Sequence, residues 1–390
     1  MIFIGIDIAS KQHDCCMIGQ KGEVLAEFKF ANNKQGFEKL LAEIGRFSAP
    51  KNARIGLEST GHYSTNIQNY LLQKRLSVRV FNPLQVNMAR KAETLRKTKT
   101  DKSDAAFLAR LLVSDGESKS YSPQVWDVAE LRMLTRSRFR LVASRSKYKL
   151  SISRLVTLVF PELTQAVWSA NQKSCYALLS EFPTAYDIAN AHLSRLSSLL
   201  WVNSRGKYDR EKAVEIRELA RNSIGLNSRA AGFELRQAIR LIQNLQSEID
   251  LLDKEIAQIM KKVASPVLSI PGIGNVLGAM IISEIGDVAN FATPAKLLAF
   301  AGLEPSTYQS GNFCACNTPM VKRGSKYLRW ALIQAARLVA YRDETFGRYY
   351  AKKKAQGKHH FVVLSHTAKK LIRVIFHLLK TGQDFQPQLG

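Results

Sequence analysis

Along the first hundred residues the apolar positions switch repeatedly between a two-residue period and a three-to-four-residue period. Ile2–Asp7 is a short apolar run ending in a carboxylate, and Cys15–Ile18 and Val24–Phe30 follow as further strand-like runs. Gln20-Lys21-Gly22-Glu23 between the last two reads as a hairpin turn. Phe37–Ile44 then takes helical spacing and Arg54–Glu58 returns to strand. Tyr63–Gln73 is helical again, with Ile67, Tyr70 and Leu71 on one side. Ser77–Phe81 is a strand broken by Asn82-Pro83, and Leu84–Arg96 and Ser103–Val113 are helical. Three strands followed by helix, strand, helix, strand, helix predict a mixed sheet with helices on both faces, the order of the ribonuclease-H fold.

The middle of the chain is helical by pattern. Leu235, Ala238, Ile242, Leu245, Ile249, Leu252, Ile256 and Ile259 alternate spacings of three and four, an unbroken a/d seam over 235–259 with Glu248, Asp250, Lys254 and Glu255 off it. One helix packed in its own domain accounts for such a seam. A heptad sustained this long favours instead a partner helix in a self-associating coiled coil, with Leu245 and Leu252 at a subunit contact. The pattern breaks near Pro266. Ser269-Ile270-Pro271-Gly272-Ile273-Gly274 and the small-residue helix Val276–Ile285 resemble a helix-hairpin-helix element, in which Gly272 and Gly274 let backbone N–H groups approach a DNA phosphate. An ordinary turn between helices fits the same six residues.

Composition decides the class of partner. The 390 residues include 57 Lys+Arg and 32 Asp+Glu, a net charge of +25, with 46% apolar and 23% charged residues. That is a folded, strongly basic protein rather than a disordered tail. Two blocks carry nearly all the excess: Lys74 to Arg154 with 19 cations against seven acids, and Lys322 to Arg373 with 14 against two. They read as surfaces that track nucleic-acid phosphates, with salt-sensitive binding. No apolar stretch approaches the roughly 20 residues that span a bilayer, and MIFIGIDIAS lacks a signal peptide's basic start. The expectation is a soluble cytosolic protein with nucleic acid as partner. Five Cys at irregular positions give no disulfide framework, and Cys314-Ala315-Cys316 has too few ligands for zinc.

Four acids stand where two-metal phosphodiester chemistry wants them. Asp7 and Glu58 end strands, and Asp101 and Asp104 lie three apart at a helix start, on one face. Such converging hard oxygen ligands suit Mg²⁺, and two ions would stabilise both the attacking and the leaving oxygen. Asp14 and Glu93 lack that convergence. Each acid alone is as readily a cap.

The back of the chain reads Phe300-Ala301-Gly302-Leu303-Glu304-Pro305, then Gln309-Ser310-Gly311, Lys322-Arg323-Gly324 and Leu328-Arg329. Together with Asp7, Glu58, Asp101 and Asp104 and the Pro-Gly-Ile-Gly turn, these motifs resemble the transposases of insertion-sequence family 110, which are related to the Piv-type DNA invertases. The resemblance covers residues 1–115 and about 265–375. It implies a front domain like the RuvC resolvase, whose four acids bind Mg²⁺. It also implies a back-domain serine, here Ser310, that attacks DNA and becomes linked to it. It further implies a structured guide RNA that pairs with target and donor DNA, homo-oligomers in which one subunit's acids face another's serine, and a prokaryotic, nucleoid-associated setting.

The chemistry of the residues agrees with that implication. A serine hydroxyl needs a base or a metal to become a nucleophile, and no histidine lies near Ser310 in sequence, the nearest being His192 and His359. Metal activation by the carboxylates is the economical route, with Arg323 or Arg329 available for phosphate charge. Lys99, Lys102, Gln309 and Lys322 complete the expected nucleic-acid contacts. The expected organisation is a RuvC-like domain over 1–115, a helical linker with the coiled coil over 116–262, and a helical transposase domain over 263–390. The resulting expectation is an RNA-guided DNA recombinase that exchanges strands without net hydrolysis. A hydrolytic RuvC-like nuclease and a non-catalytic nucleic-acid scaffold are the alternatives.

Overall fold

The computed structural model describes residues 1–58, 63–93, 101–114, 126–306, 309–310, 313–314 and 319–387, and the chain divides into two units, Met1–Gln124 and Val125–Gly390. The front unit runs β1 (Ile2–Asp7), β2 (Gln12–Ile18), β3 (Val24–Ala31), α1 (Lys34–Phe47), β4 (Ala53–Glu58), α2 (Ser64–Gln73), β5 (Ser77–Phe81), α3 (Pro83–Glu93) and α4 (Asp101–Ser114). Its single sheet has the order β3-β2-β1-β4-β5. The first three strands are antiparallel, and β4 and β5 run parallel to β1. This is the expected mixed sheet in ribonuclease-H order. Gly22, with φ +85°, turns the β2–β3 hairpin where the sequence placed it.

The two faces have different cores because side chains alternate along each strand. Ile2, Ile4 and Ile6, with Ile55 and Leu57, pack against α1 and α2 through Phe37, Leu40, Ile44, Ile67 and Leu71. Phe3, Cys16, Ile18 and Phe81 pack on the other face against Leu108 and Leu112 of α4. Asn33 caps α1 by accepting from the Gly36 amide, so α1 begins earlier than its apolar spacing alone suggests. Pro83 opens α3 as a first-turn residue, which costs that helix no hydrogen bond.

The back unit consists of α5 (Trp126–Val159), α6 (Leu163–Ala166), α7 (Lys173–Glu181), α8 (Ala185–Ala189), α9 (Leu193–Ser204), α10 (Arg210–Arg221), α11 (Arg229–Met260), α12 (Asn275–Ile285), α13 (Pro294–Phe300), β6 (Gln309–Ser310), β7 (Phe313–Cys314), α14 (Lys326–Arg342), α15 (Glu344–Ala355) and α16 (His360–Thr381). The heptad lies in α11, and its partner corrects the expectation of a seam between subunits. Arg138 pairs with Asp253, Arg145 with Gln246 and Arg154 with Glu234, so α5 of the same chain runs antiparallel along α11. Leu235, Ala238, Ile242, Ile249 and Ile256 are buried, while Leu245 and Leu252 are half-buried. The basic residues that make α5 look like a charged surface in sequence supply the rim of this coiled coil.

One apolar cluster joins the C-terminal half of α5 and the start of α11 to α6–α10. A second joins Leu131 of α5 and the end of α11 to α12–α16. No helix among the described residues is long and apolar enough to cross a membrane.

Candidate active site

Asp7 closes β1 and Glu58 closes β4. The parallel register Ile6↔Leu57, carried one residue further, brings both carboxylates to the same edge on neighbouring strands. Alternation assigns Ile6 and Leu57 to the α1/α2 core, and therefore Asp7 and Glu58 to the face that α4 covers. That face is approached very closely. A Cβ at Gly5 would overlap the Ala105 carbonyl oxygen and the Ala109 amide nitrogen, and one at Gly56 would meet Leu112 at 3.0 Å. Two absent side chains thus let α4 sit on β1 and β4. Asp104, next to Ala105, is buried as a result, 6% exposed. Arg90 of α3 meets its carboxylate at 2.9 Å, and the Ser103 hydroxyl is 3.4 Å from it.

Asp14, which the sequence reading left out of the set, also belongs to this face. In the antiparallel register Asp14 lies directly opposite Asp7, 8% exposed, with Lys29 at 3.3 Å. The signal was present in the β1–β2 pairing but needed the register of a wide turn to be read. Asp101 opens α4, and its side chain lies outside the described residues, as does all of Lys99. Lys102, expected on nucleic acid, pairs instead with Glu27 of β3 at 2.6 Å, and that hydrogen bond and charge raise its pKa. Asp7, Glu58 and Asp104 offer only hard oxygen donors, a set whose chemistry fits Mg²⁺. Among the described residues no three His, Cys, Asp or Glu side chains converge closely enough to hold an ion.

The back unit holds its serine segment by different means. Glu284 of α12 is 2% exposed, yet it ends the apolar run Met280–Ser283. Arg136 of α5 donates to both of its oxygens, at 2.6 and 3.0 Å, and the Ser325 hydroxyl donates at 2.7 Å. Ser325 in turn caps α14 by accepting from the Leu328 amide at 3.1 Å. Arg136 also stacks over Tyr327 at 4.7 Å, and Arg132 donates to the Ser283 carbonyl at 2.8 Å. One buried carboxylate therefore ties α5 and α12 to the start of α14.

Lys322-Arg323-Gly324 leads directly into that start. Gly324, at φ +116°, passes so close to Phe300 that a Cβ would overlap its carbonyl, and Gly302, at φ +66°, is likewise crowded by Arg329 and Arg323. The Ser325 amide donates to the Phe300 carbonyl at 2.8 Å, and Arg329 Nη1 donates to the Lys322 carbonyl at 2.9 Å. The Ala-Gly-Leu and Lys-Arg-Gly turns are thus one packed unit, and an arm rises from it. Val321 donates to the Glu304 carbonyl and Ser306 to the Pro319 carbonyl, both at 2.9 Å. Further out, Gln309 pairs with Cys314 and Ser310 with Phe313. Ser310 lies on this two-stranded arm, and its side chain and that of Gln309 are outside the described residues.

Two family models match, on either side of the middle helices. Residues 4–161 match an IS110 transposase model, and residues 264–351 match the IS116/IS110/IS902 transposase family. The chain belongs to the IS110/IS116/IS902 transposase family. Its relatives include an uncharacterised 44.8 kDa protein of insertion element IS116 from Streptomyces clavuligerus, 25% identical over 99% of this chain and 96% of that one. The pilin gene-inverting protein of Moraxella bovis is 22% identical over 99% of this chain and 98% of its own length. Among solved structures, Thermus thermophilus RuvC in complex with a Holliday-junction substrate aligns at 14% identity and a TM-score of 0.24, over 31% of this chain and 99% of that one.

As an IS110-family transposase, the chain is a DNA-recombining enzyme, and both matched regions contain the residues singled out by sequence. The geometry assigns several of those residues structural work. Gly272, at φ +95°, packs against the Leu338–Val339 backbone of α14, so it is glycine for closeness there. Gly274 caps α12 and faces open space. Arg329 is half-buried and committed to the Lys322 carbonyl, whereas Lys322 and Arg323 are exposed. Sequence reasoning missed Glu284, Arg136 and Ser325. Their only signal is a lone acid inside an apolar helix.

Proposed function

We propose that this transposase cuts and rejoins DNA through a covalent serine–DNA intermediate, with a structured guide RNA specifying target and donor. The observation that carries the reading is the placement of Asp7, Glu58 and the buried Asp104 on one face of a ribonuclease-H-type sheet. Asp101 completes the set by its position at the start of α4. These carboxylates would hold Mg²⁺, which when bound there supplies charge stabilisation at the scissile phosphate and lowers the pKa of the attacking hydroxyl. The resemblance of the back domain supports Ser310 as nucleophile. Its Oγ attacks a backbone phosphorus, one phosphorus–oxygen bond to deoxyribose breaks as the new ester forms, and the proton lost by the serine hydroxyl ends on the released sugar oxygen. The count of phosphate diesters is unchanged, so another strand's hydroxyl can reverse the step without hydrolysis.

Lys322 and Arg323, exposed beside the arm, are placed for phosphate charge, and the net charge of +25 supports polyanionic partners. Guide RNA and assembly into a homo-oligomer with sites shared between subunits follow from the resemblance.

The test is a search for the covalent bond. The protein, expressed with its native flanking DNA, is digested with nuclease and protease, and the Ser310 peptide is examined by mass spectrometry. A nucleotide remnant on Ser310 is expected, together with loss of cleavage in Ser310→Ala and in EDTA. Cleavage in Mg²⁺ with no remnant on any serine would hand the case to the hydrolytic nuclease.

A further inference from the structure

The helix α16 carries an uninterrupted cationic stripe that the proposed chemistry does not use. His366, Lys369, Lys370, Arg373, His377 and Lys380 recur at spacings of three, one, three, four and three, which places all six within about 100° of one another around the helix. The opposite side of α16 is its core face, with Val363, Leu364, Ala368, Leu371, Ile372 and Ile375 buried. The stripe runs fourteen residue steps from His366 to Lys380, a length of roughly 21 Å, over which one strand of duplex DNA carries about six phosphates. Lys353 of α15 and Lys358 of the connecting loop add to it at the His366 end.

Among the described residues none of these side chains forms an ion pair with an acid. Lys370 lies over the rings of Tyr349 and Phe346 at 5.0 and 5.4 Å, and Lys380 over Phe376 at 5.7 Å, so aromatic rings hold the ammonium groups in place without neutralising them. Uncompensated cations in such a row are an unfavourable arrangement that a polyanion relieves.

We propose that the α16 stripe is a docking track for the phosphate backbone of duplex DNA, and that His366, half-buried at its start, takes up a proton when the DNA docks. The groups whose charge reaches His366 are Lys369 on its own helix, Lys353 on α15 and Lys358 in the loop, all cationic. Burial first, and these charges next, hold its pKa below 6.5. Lys369 is similarly lowered by burial and by Arg373. The helices α13 and α14 that pack on α16 carry cations and no acid, and Glu344 of α15 is paired with Arg348 at 3.7 Å. Of the two short turns that also pack on α16, Pro266–Ser269 holds no charged residue and Val288–Asn290 is capped by Asp287, whose carboxylate accepts from the Ala289 amide. A docked phosphate reverses the sign of the field and raises the imidazole pKa. Between the free and the bound value, binding then takes up a proton, and affinity rises as pH falls through that window.

The inference rests on the chain acting on DNA but not on Ser310, because its test reads binding with cleavage silenced by EDTA. Affinity of the full chain for a linear duplex is measured against salt and pH. Lys369→Gln with Arg373→Gln should weaken binding about tenfold and reduce the log–log salt slope by roughly 1.8, two phosphate contacts. Lys207→Gln with Arg210→Gln, on the α9–α10 side, serves as a control that leaves the slope unchanged. Calorimetry in two buffers of different ionisation enthalpy should show more proton uptake in the wild type than in His366→Gln. His366→Asn provides the same comparison if the first variant folds poorly. A wild-type salt slope in the double variant, or equal proton uptake in wild type and both His366 variants, overturns the proposal. So does loss of binding to structured RNA with duplex binding intact.

Discussion

The front and back units position their chemistry by opposite physical means. In the front unit, α4 and its Asp104 are fixed by backbone meeting backbone at Gly5, a contact made possible by the absence of a side chain. In the back unit, the turns below the Ser310 arm are fixed through a buried charge, Glu284, shared between Arg136 and Ser325. A steric seat fails when volume is added, and an electrostatic tie fails when one partner is removed. The seat of α4 in the front uses no charge, whereas that of the back commits a buried carboxylate to structure.

Glu284→Ala should expose that difference most strongly. Removing one partner of a buried ion pair leaves an uncompensated charge and costs about 3–5 kcal/mol, here about 3 because Arg136 remains 39% exposed. Thermal unfolding should show a lowered transition of the back unit. Glu284→Gln, which keeps an acceptor for Ser325, should recover part of the loss. If both variants unfold like the wild type, Glu284 does not hold the arm's base.

The front unit should respond to the smallest added volume. Gly5→Ala places a methyl group where the Ala105 carbonyl stands, and overpacking of this kind costs about 1–3 kcal/mol. Because α4 must lift, Asp104 should move with it. Cleavage should therefore fall more than the stability loss accounts for. Wild-type cleavage in a destabilised Gly5→Ala protein would show that the seat of α4 does not position the site.

The contrast also explains what could be read from sequence. Strand order, the hairpin at Gly22 and the strand-end carboxylates Asp7 and Glu58 were legible because period-two alternation and turn residues are local signals. The value of Gly5 and Gly56 was not, since each is explained only by a helix a hundred or fifty residues away. Asp14 needed the β1–β2 register. The heptad announced a partner helix correctly, but nothing in 235–259 says that the partner is α5 of the same chain. Glu284 looks like an accident inside an apolar run until Arg136, 148 residues earlier, is placed beside it.

A smaller effect sharpens the comparison further, because the front unit has a buried histidine whose pKa burial lowers. His13 of β2 is wholly buried between Phe30 and Phe37, its Nδ1 accepting from the Ala9 amide at 3.2 Å, and burial lowers its pKa from 6.5. With the folded value below the unfolded one, the unfolded chain binds more protons in the window just under pH 6.5. The stability contributed by neutral His13 is complete above that window and is lost as pH falls through it, with a slope of at most about 1.4 kcal/mol per pH unit. Unfolding followed from pH 7.5 to 5 should therefore slope downward for the front unit, and His13→Gln should flatten that slope. An equal slope in the variant would show that His13 does not set the front unit's response to acid over this range.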